Sequence, residues 1–159
     1  MPAPRISTEI GTSPEARTIP ISSKRSILIC TVKIDGQTVT FVDIHKDHLL
    51  RGEASFRNIR RAVDPIDGPV VLIGDLNVGP ISVWSGPLAD RFFDSARGLD
   101  TAESRAPTFG TRRIDYVLVD PRFFVVQEGG LISGEHWAAS DHRAYYARLR
   151  LRVRTHKNL

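Results

Sequence analysis

The feature that most constrains the fold is the short, wholly apolar run from Pro69 to Gly74. A strand with one solvated face alternates apolar and polar residues, so an uninterrupted run is typical of a strand that is covered on both faces. The segment before it carries Phe56, Ile59 and Val63 at helical spacing. A helix followed by a doubly covered strand predicts a layered α/β protein.

Further β-rich segments lie on either side of this unit. Residues 26–32 and 37–44 are apolar and rich in β-branched side chains, and the Asp35-Gly36 pair between them is typical of a two-residue hairpin turn. The second of these strands leads into His45. The other predicted elements are helical pieces within 83–99 and strands at 113–119, 123–127 and 144–154.

A length of 159 residues is typical of one domain. Residues 1–24 are rich in Pro, Ser and Thr without a sustained apolar period, so we expect an irregular N-terminal arm, then the domain at 25–154 and a tail at 155–159. No apolar run approaches the ~18 residues that cross a bilayer, and the first residues lack the apolar stretch of a secretory signal. A cytoplasmic location is therefore expected.

Composition narrows the chemistry that the chain can carry. Cys30 is the only cysteine, which excludes an internal disulfide and a cysteine-built zinc site. Any metal must therefore be held by oxygen or imidazole groups. A formal net charge of +4 favours phosphate-rich partners such as nucleic acid, although many small basic proteins bind none of these.

The apolar run delivers an acid and an amide, Asp75 and Asn77, to the carboxyl end of its strand. Ligands gather at such ends in α/β sheets. The alternative is that Asp75 and Asn77 only shape a loop, which the following Gly79-Pro80 would complete. The spacing of these residues does not decide between the two interpretations.

Two later segments place a carboxylate and a histidine near strands. Asp115 lies inside an otherwise apolar strand and needs a cation, a metal or a histidine beside it, because an unpaired buried charge is costly. A salt bridge with Arg112 or Arg113 is the alternative. His142 precedes the last strand, where a carboxylate partner would fix its tautomer and raise its pKa; alone, it would be a surface or capping residue.

Three motifs together resemble, in order, the carboxy-terminal motifs of the endonuclease/exonuclease/phosphatase superfamily. They are Gly-Asp-Leu-Asn at 74–77, Arg-Ile-Asp-Tyr at 113–116 and Ser-Asp-His-Arg at 140–143. The resemblance covers roughly residues 26–153. It implies a deoxyribonuclease-I-like fold, here a partial α/β sandwich, and metal-dependent hydrolysis of phosphodiester or phosphomonoester bonds.

The resemblance also implies roles for individual residues. Asp75 would orient or deprotonate the attacking water, and Asn77 would hold that water or a phosphate oxygen. His142 would contact the scissile phosphate, with Asp115 orienting its ring. His45 matches a histidine that some members direct at the phosphate or the leaving group. The metal, Mg²⁺ or Mn²⁺, would be bound by Asp75, Asn77 and Asp141.

The sequence also departs from the family. The first half of family members contributes an Asn and a metal-binding Glu, and neither motif is visible here. We therefore expect weak metal binding and an incomplete sandwich whose exposed sheet forms a homodimer or binds a partner that supplies the first half. The expected substrate is a phosphate ester, with nucleic acid among the candidates. The alternative is a non-catalytic module that keeps the fold but only binds phosphate-rich ligands, such as nucleic acid, or a partner protein. The missing metal-binding Glu and the alternating arginines at 148–154 suggest it, although such arginines are also typical of a solvated face.

Overall fold

The computed structural model describes residues 15–22, 24–48, 53–132 and 140–152. The strands in these residues are β1 (Ala16–Pro20), β2 (Ser26–Ile34), β3 (Gln37–His45), β4 (Val70–Asp75), β5 (Phe93–Asp94), β6 (Asp115–Val119), β7 (Phe124–Leu131) and β8 (Tyr145–Leu151). The helices are α1 (Glu53–Val63), α2 (Pro80–Trp84) and α3 (Ser95–Leu99). None of these helices is long and apolar enough to span a membrane.

Six strands form one mixed sheet in the order β1-β2-β3-β4-β6-β5. β2 and β3 are an antiparallel hairpin whose turn residues, Asp35 and Gly36, have φ of 49° and 76°, as a tight hairpin turn requires. β3 runs parallel to β4, and α1 connects them. β6 pairs antiparallel with β4, so the carboxyl end of β4 lies beside the start of β6. The α/β expectation is confirmed.

The main sheet is packed on both faces. On one face, α1 places Phe56, Ile59 and Val63 in the larger core cluster. On the other face, the two-stranded sheet of β7 and β8 places Phe124 and Leu149 against the main sheet in a second cluster. The result is a sandwich of two sheets with α1 on the outside, and its second sheet has two strands within the described residues.

The two ends of the chain differ from expectation where they are described. The irregular arm expected at 1–24 is wrong for its last part, because residues 16–20 form β1 and pair with β2. Side chains of this segment also join the core: Ile19 packs against it and Ile21 is buried. The last strand, expected at 144–154, is found at Tyr145–Leu151 within the described residues, and positions 153–154 lie outside them. Residues 1–14 and the tail at 155–159 lie outside the described residues.

The sheet face opposite α1 is covered only in part. Towards the carboxyl ends of β3 and β4, Phe41, Ile73 and Val117 are half-buried, and Leu28 on β2 is 41% exposed. Phe124 of the second sheet packs on this face in the cluster that contains Val39, Val71 and Val119. Among the described residues, these apolar side chains are therefore partly accessible beside the strand ends, and the exposed sheet that would bind a partner stays a prediction.

Gly74 lets β4 approach β3 closely just before the strand ends. Its φ is +121°, a region that residues with a side chain rarely adopt. A Cβ atom at this position would lie 2.1 Å from the carbonyl oxygen of Ile44. Glycine is therefore required for the strand to pass this point and present Asp75 at its end.

We expect Gly74→Ala to lower the free energy of unfolding by more than Gly68→Ala. Gly68 has a similar φ of +112°, but a Cβ there would meet nothing within 4 Å. Its replacement therefore reports backbone strain alone, about 1–3 kcal/mol. Gly74→Ala adds a clash with the backbone of β3. Urea unfolding measures both variants, and equal losses would contradict this explanation of Gly74.

Candidate active site

The turn after β4 holds the carboxylate of Asp75 against Asn77. Asn77 has a φ of 51°, a left-handed conformation that asparagine tolerates better than most residues. Its backbone N–H donates to Asp75 Oδ1 (2.7 Å), and its side-chain amide donates to Asp75 Oδ2 (3.0 Å) and to the carbonyl oxygen of Lys46 (2.8 Å). Both amide hydrogens of Asn77 are engaged, so its side-chain oxygen is the atom left to bind a ligand.

Asp115 begins β6 directly opposite Asp75 in the sheet. Its Oδ2 lies 2.9 Å from Nδ1 of His142, so the predicted contact between these two side chains is present. Burial lowers the pKa of the His142 imidazole, but the hydrogen bond and charge of Asp115, together with Asp75 and Asp141, raise the pKa above its ordinary value. The setting therefore favours a cationic imidazole beside the Asp75 carboxylate.

His45 lies at the end of β3, in register with Asp75. Its Nε2 is 3.7 Å from Asp75 Oδ2, and its Nδ1 is 3.5 Å from a guanidinium nitrogen of Arg25. The side chain is 57% exposed, so it can reach a ligand in solvent. A cleft of about 410 Å³ borders the other side of the site, lined by Asp115, His142 and apolar residues of β4 and β6. Within the described residues, the candidate site is thus accessible from the His45 side and from this cleft.

The salt-bridge alternative for Asp115 is wrong. Arg113 instead donates to both carboxylate oxygens of Asp94, each at 2.7 Å, and both side chains are buried. Asp94 also accepts a hydrogen bond from the Trp84 indole (2.9 Å) and from the backbone of Ala96 at the start of α3. Arg113 therefore stabilises the β5 and α3 region, and Asp115 is left to bind His142.

Lys46 is a site neighbour that sequence reasoning missed. It is 1% exposed, and its ammonium group donates to the carbonyl oxygen of Asp47 at 2.7 Å. Burial lowers the pKa of Lys46, against the raising effect of the Asp47 and Asp75 carboxylates. Its backbone N–H donates to the carbonyl oxygen of Asp75 at 2.8 Å. The only available signal was a lysine directly after the strand that ends in His45.

Thr108 and Phe109 connect the two segments that carry Asp115 and His142, and the sequence analysis did not single them out. The buried Thr108 hydroxyl oxygen accepts hydrogen bonds from the backbone N–H groups of Ile114 and Asp115, both at 3.1 Å. The Thr108 carbonyl accepts from the backbone of Arg143 at 2.7 Å. Phe109 packs on the His142 ring, with centroids 4.8 Å apart. Thr108 is therefore a positioning residue for the pair.

We expect Thr108→Val to destabilise the fold by roughly 1–3 kcal/mol, because it leaves the buried N–H of Ile114 and the half-buried N–H of Asp115 without this acceptor. It should also loosen the Asp115–His142 contact and lower the His142 pKa, which NMR titration of the imidazole measures. Thr108→Ser keeps the oxygen and should leave that titration unchanged. An unaltered His142 titration in Thr108→Val would show that the threonine serves stability only.

The predicted metal ligands supply oxygen atoms, which suit hard divalent cations. However, no three His, Cys, Asp or Glu side chains within the described ranges come close enough together to hold an ion. Both carboxylate oxygens of Asp75 already accept hydrogen bonds from Asn77. Asp141 is exposed, and its charge acts on His142. The described residues do not form a complete metal site.

Sequence comparison identifies a family. Residues 12–142 match the sequence profile of the Endonuclease/Exonuclease/phosphatase family. The match includes the first two motifs and the third as far as His142, and it extends upstream through β1. No curated protein sequence matches the chain.

Three solved structures illustrate the likeness in fold. A family protein from Bacteroides thetaiotaomicron has a TM-score of 0.70 and 20% identity, over 85% of this chain and 64% of that one. TDP2 of D. rerio, complexed with a single-strand DNA product, has a TM-score of 0.66 and 18% identity, over 86% and 67%. The human Nocturnin catalytic domain with a bound sulfate anion has a TM-score of 0.64 and 13% identity, over 87% and 59%.

The chain therefore spans 59% to 67% of the length of these structures. The matches confirm the deoxyribonuclease-I-like fold and its partial extent.

Proposed function

The chain belongs to the endonuclease/exonuclease/phosphatase family, and from this membership we propose that it hydrolyses phosphate ester bonds, with phosphodiesters as the first candidates and Mg²⁺ or Mn²⁺ as the required ion. Members of the family are hydrolases that act on phosphodiester bonds, and they generally use divalent metals. The observation that carries the proposal is the Asp115–His142 contact beside Asp75, at the adjoining ends of β4 and β6.

Asp75 is proposed to orient and deprotonate the attacking water. Two hydrogen bonds from Asn77 fix its carboxylate, yet a carboxylate offers about four lone-pair sites, so acceptor capacity remains for a water. The side-chain oxygen of Asn77 lies on the same turn and can accept a hydrogen bond from that water. A fixed carboxylate contributes to catalysis because its orientation is established before the reaction begins.

His142 is proposed to bind the scissile phosphate through Nε2. Asp115 accepts a hydrogen bond from Nδ1–H, so Nε2 carries a proton to donate when the imidazole is cationic. The raised pKa of His142 increases the cationic fraction near neutral pH, and a cation stabilises the negative charge on phosphate oxygens during the reaction. His45, on the other side of Asp75, is proposed to contact the phosphate or the leaving group.

The experiment that tests this function is hydrolysis of bis(p-nitrophenyl) phosphate with Mg²⁺ or Mn²⁺, before and after chelation with EDTA. We expect turnover that requires the ion and is lost in Asp75→Ala. Asp90→Ala is the matched control, because Asp90 is 85% exposed and its nearest cation, Arg60, lies on α1 rather than in the site. Turnover that survives EDTA or Asp75→Ala would contradict the proposal.

A non-catalytic, phosphate-binding function is the second candidate. It is favoured by Arg150 and Arg152, which have no ion-pair partner within the described residues. This candidate predicts binding of phosphate-rich ligands that persists in Asp75→Ala and His142→Ala, without turnover under any metal. Metal-dependent turnover by the unmodified chain would exclude it as the sole function.

A further inference from the structure

β8 and the residue directly after it, Arg152, present a row of arginines on the outward face. Arg148, Arg150 and Arg152 are exposed, whereas Leu149 and Leu151 between them pack against the second core cluster. Because side chains of a strand alternate between its two faces, these arginines project from one face at intervals of about 7 Å. The arginine row (Arg148, Arg150 and Arg152) is therefore a linear array of positive charge on the outer surface of the sandwich.

Most of this charge is not used to hold the fold together. Arg148 pairs with Glu128 at 3.1 Å, and Glu128 also accepts a hydrogen bond from the Tyr146 hydroxyl at 2.8 Å. Arg150 lies opposite Val125 on β7. Neither Arg150 nor Arg152 forms an ion pair in the part of the chain that the structure describes. Two guanidinium groups thus project into solvent with their charge uncompensated.

A row of charges on an edge strand also prevents pairing with other chains, but lysine and glutamate serve that purpose equally. Every charged residue on the outward face of β8 is an arginine, whose planar fork matches the geometry of a phosphate group. Tyr146 adds an exposed aromatic ring to the same face, 37% exposed, on which an unpaired base can stack. The arginines and the exposed ring together favour a nucleic-acid strand as the ligand of this face, rather than a face that contacts only solvent.

The row begins close to the candidate active site. β8 starts at Tyr145, shortly after His142, and the exposed ring of Phe109 packs on His142 at this end. A strand with one phosphate at His142 can therefore continue along β8 and bring further phosphates to the arginines. We infer that the arginine row binds the backbone of single-stranded nucleic acid as an extension of the site. This inference rests on the proposed function, because that function places the first phosphate of the strand at His142.

Binding is tested without turnover, by fluorescence anisotropy of a long labelled oligothymidylate in EDTA. The Arg150→Gln, Arg152→Gln double variant should weaken binding about tenfold at low salt. It should also reduce the slope of log K against log salt by about 1.4, because each lost phosphate contact accounts for about 0.7. Equal binding by this variant and the unmodified chain would overturn the inference.

The matched control is Arg57→Gln with Arg61→Gln on α1. Each pair removes two positive charges from the formal net charge of +4, so net charge alone would affect both variants equally. α1 packs on the opposite face of the main sheet from β8, and Arg57 and Arg61 are both exposed. The control should bind the oligonucleotide like the unmodified chain, and equal weakening in both variants would overturn the inference.

Two further measurements separate this inference from its premise. The ratio of kcat/KM for the oligonucleotide to that for bis(p-nitrophenyl) phosphate should fall in the β8 variant and stay constant in the α1 variant. If the unmodified chain hydrolyses neither substrate, the proposed function fails while the binding result stands. Phosphatidylserine vesicles test an anionic membrane as the alternative occupant: β8-dependent sedimentation with vesicles, with oligonucleotide binding unchanged, would overturn the inference.

Discussion

Replacing His142 with alanine should lower kcat/KM for phosphodiester hydrolysis by a factor of about 10³, within the range typical of one positioned acid–base group. The loss follows from removing the group proposed to donate to the scissile phosphate. The backbone around His142 is held by the Thr108 carbonyl and by the Ser140 hydroxyl, so the fold should tolerate the change. Steady-state kinetics on bis(p-nitrophenyl) phosphate measures the effect.

Asp115→Asn provides the companion measurement. An amide can donate to Nδ1, which opposes a proton there, and it removes the charge that raises the His142 pKa, so the cationic imidazole becomes less populated. We expect that pKa to fall in the variant, so activity should be lost more strongly at neutral than at acidic pH. Because the two residues act as a unit, the double variant should lose little more than the worse single variant. Fully multiplicative losses would show that Asp115 and His142 act independently.

Replacing Asp94 with leucine should lower the free energy of unfolding by about 3–5 kcal/mol, the usual cost of leaving one member of a buried ion pair without its partner. Arg113, 4% exposed in its side chain, would lose both of its short hydrogen bonds to Asp94. Trp84 and the start of α3 would each lose a hydrogen bond as well. Urea unfolding followed by tryptophan fluorescence measures the loss.

Two controls define the origin of that loss. Glu53→Ala removes the exposed ion pair with Arg57 and should cost no more than about 0.5 kcal/mol. Adding Arg113→Met to Asp94→Leu should recover part of the stability, because an apolar pair of similar volume removes the unpaired charge. If the double variant is less stable than Asp94→Leu, the cost comes from lost packing rather than from the buried guanidinium.

The strands that the sequence predicted well are those whose own residues specify them. The run from Pro69 to Gly74 is apolar throughout and becomes the doubly covered β4, and the Asp35-Gly36 turn is encoded by two residues that accept positive φ. β1 was missed because Ala16–Pro20 carries no alternating pattern. It forms because β2 offers an unpaired edge and Ile19 reaches the core.

The sequence could predict those parts of the candidate site that lie at adjoining strand ends. Asp75 ends β4 and Asp115 begins the neighbouring antiparallel β6, so their motifs converge once the sheet forms. The partner of Arg113 is Asp94, which lies in a segment that the sequence predicted only as helical pieces. Nothing in the local sequence distinguishes that pairing from one with Asp115. Thr108 acts through backbone groups of two other segments, and such contacts exist only after the loops are in place.

The most direct test of the central claim is the fate of oxygen when the chain hydrolyses a phosphodiester in water enriched in heavy oxygen. If Asp75 and Asn77 hold the attacking water in line with the leaving group, mass spectrometry should find one labelled oxygen per turnover in the phosphate product. None should appear in the released alcohol, and the reaction should be lost in Asp75→Ala. Label in the alcohol, or no hydrolysis with either Mg²⁺ or Mn²⁺, would contradict the account.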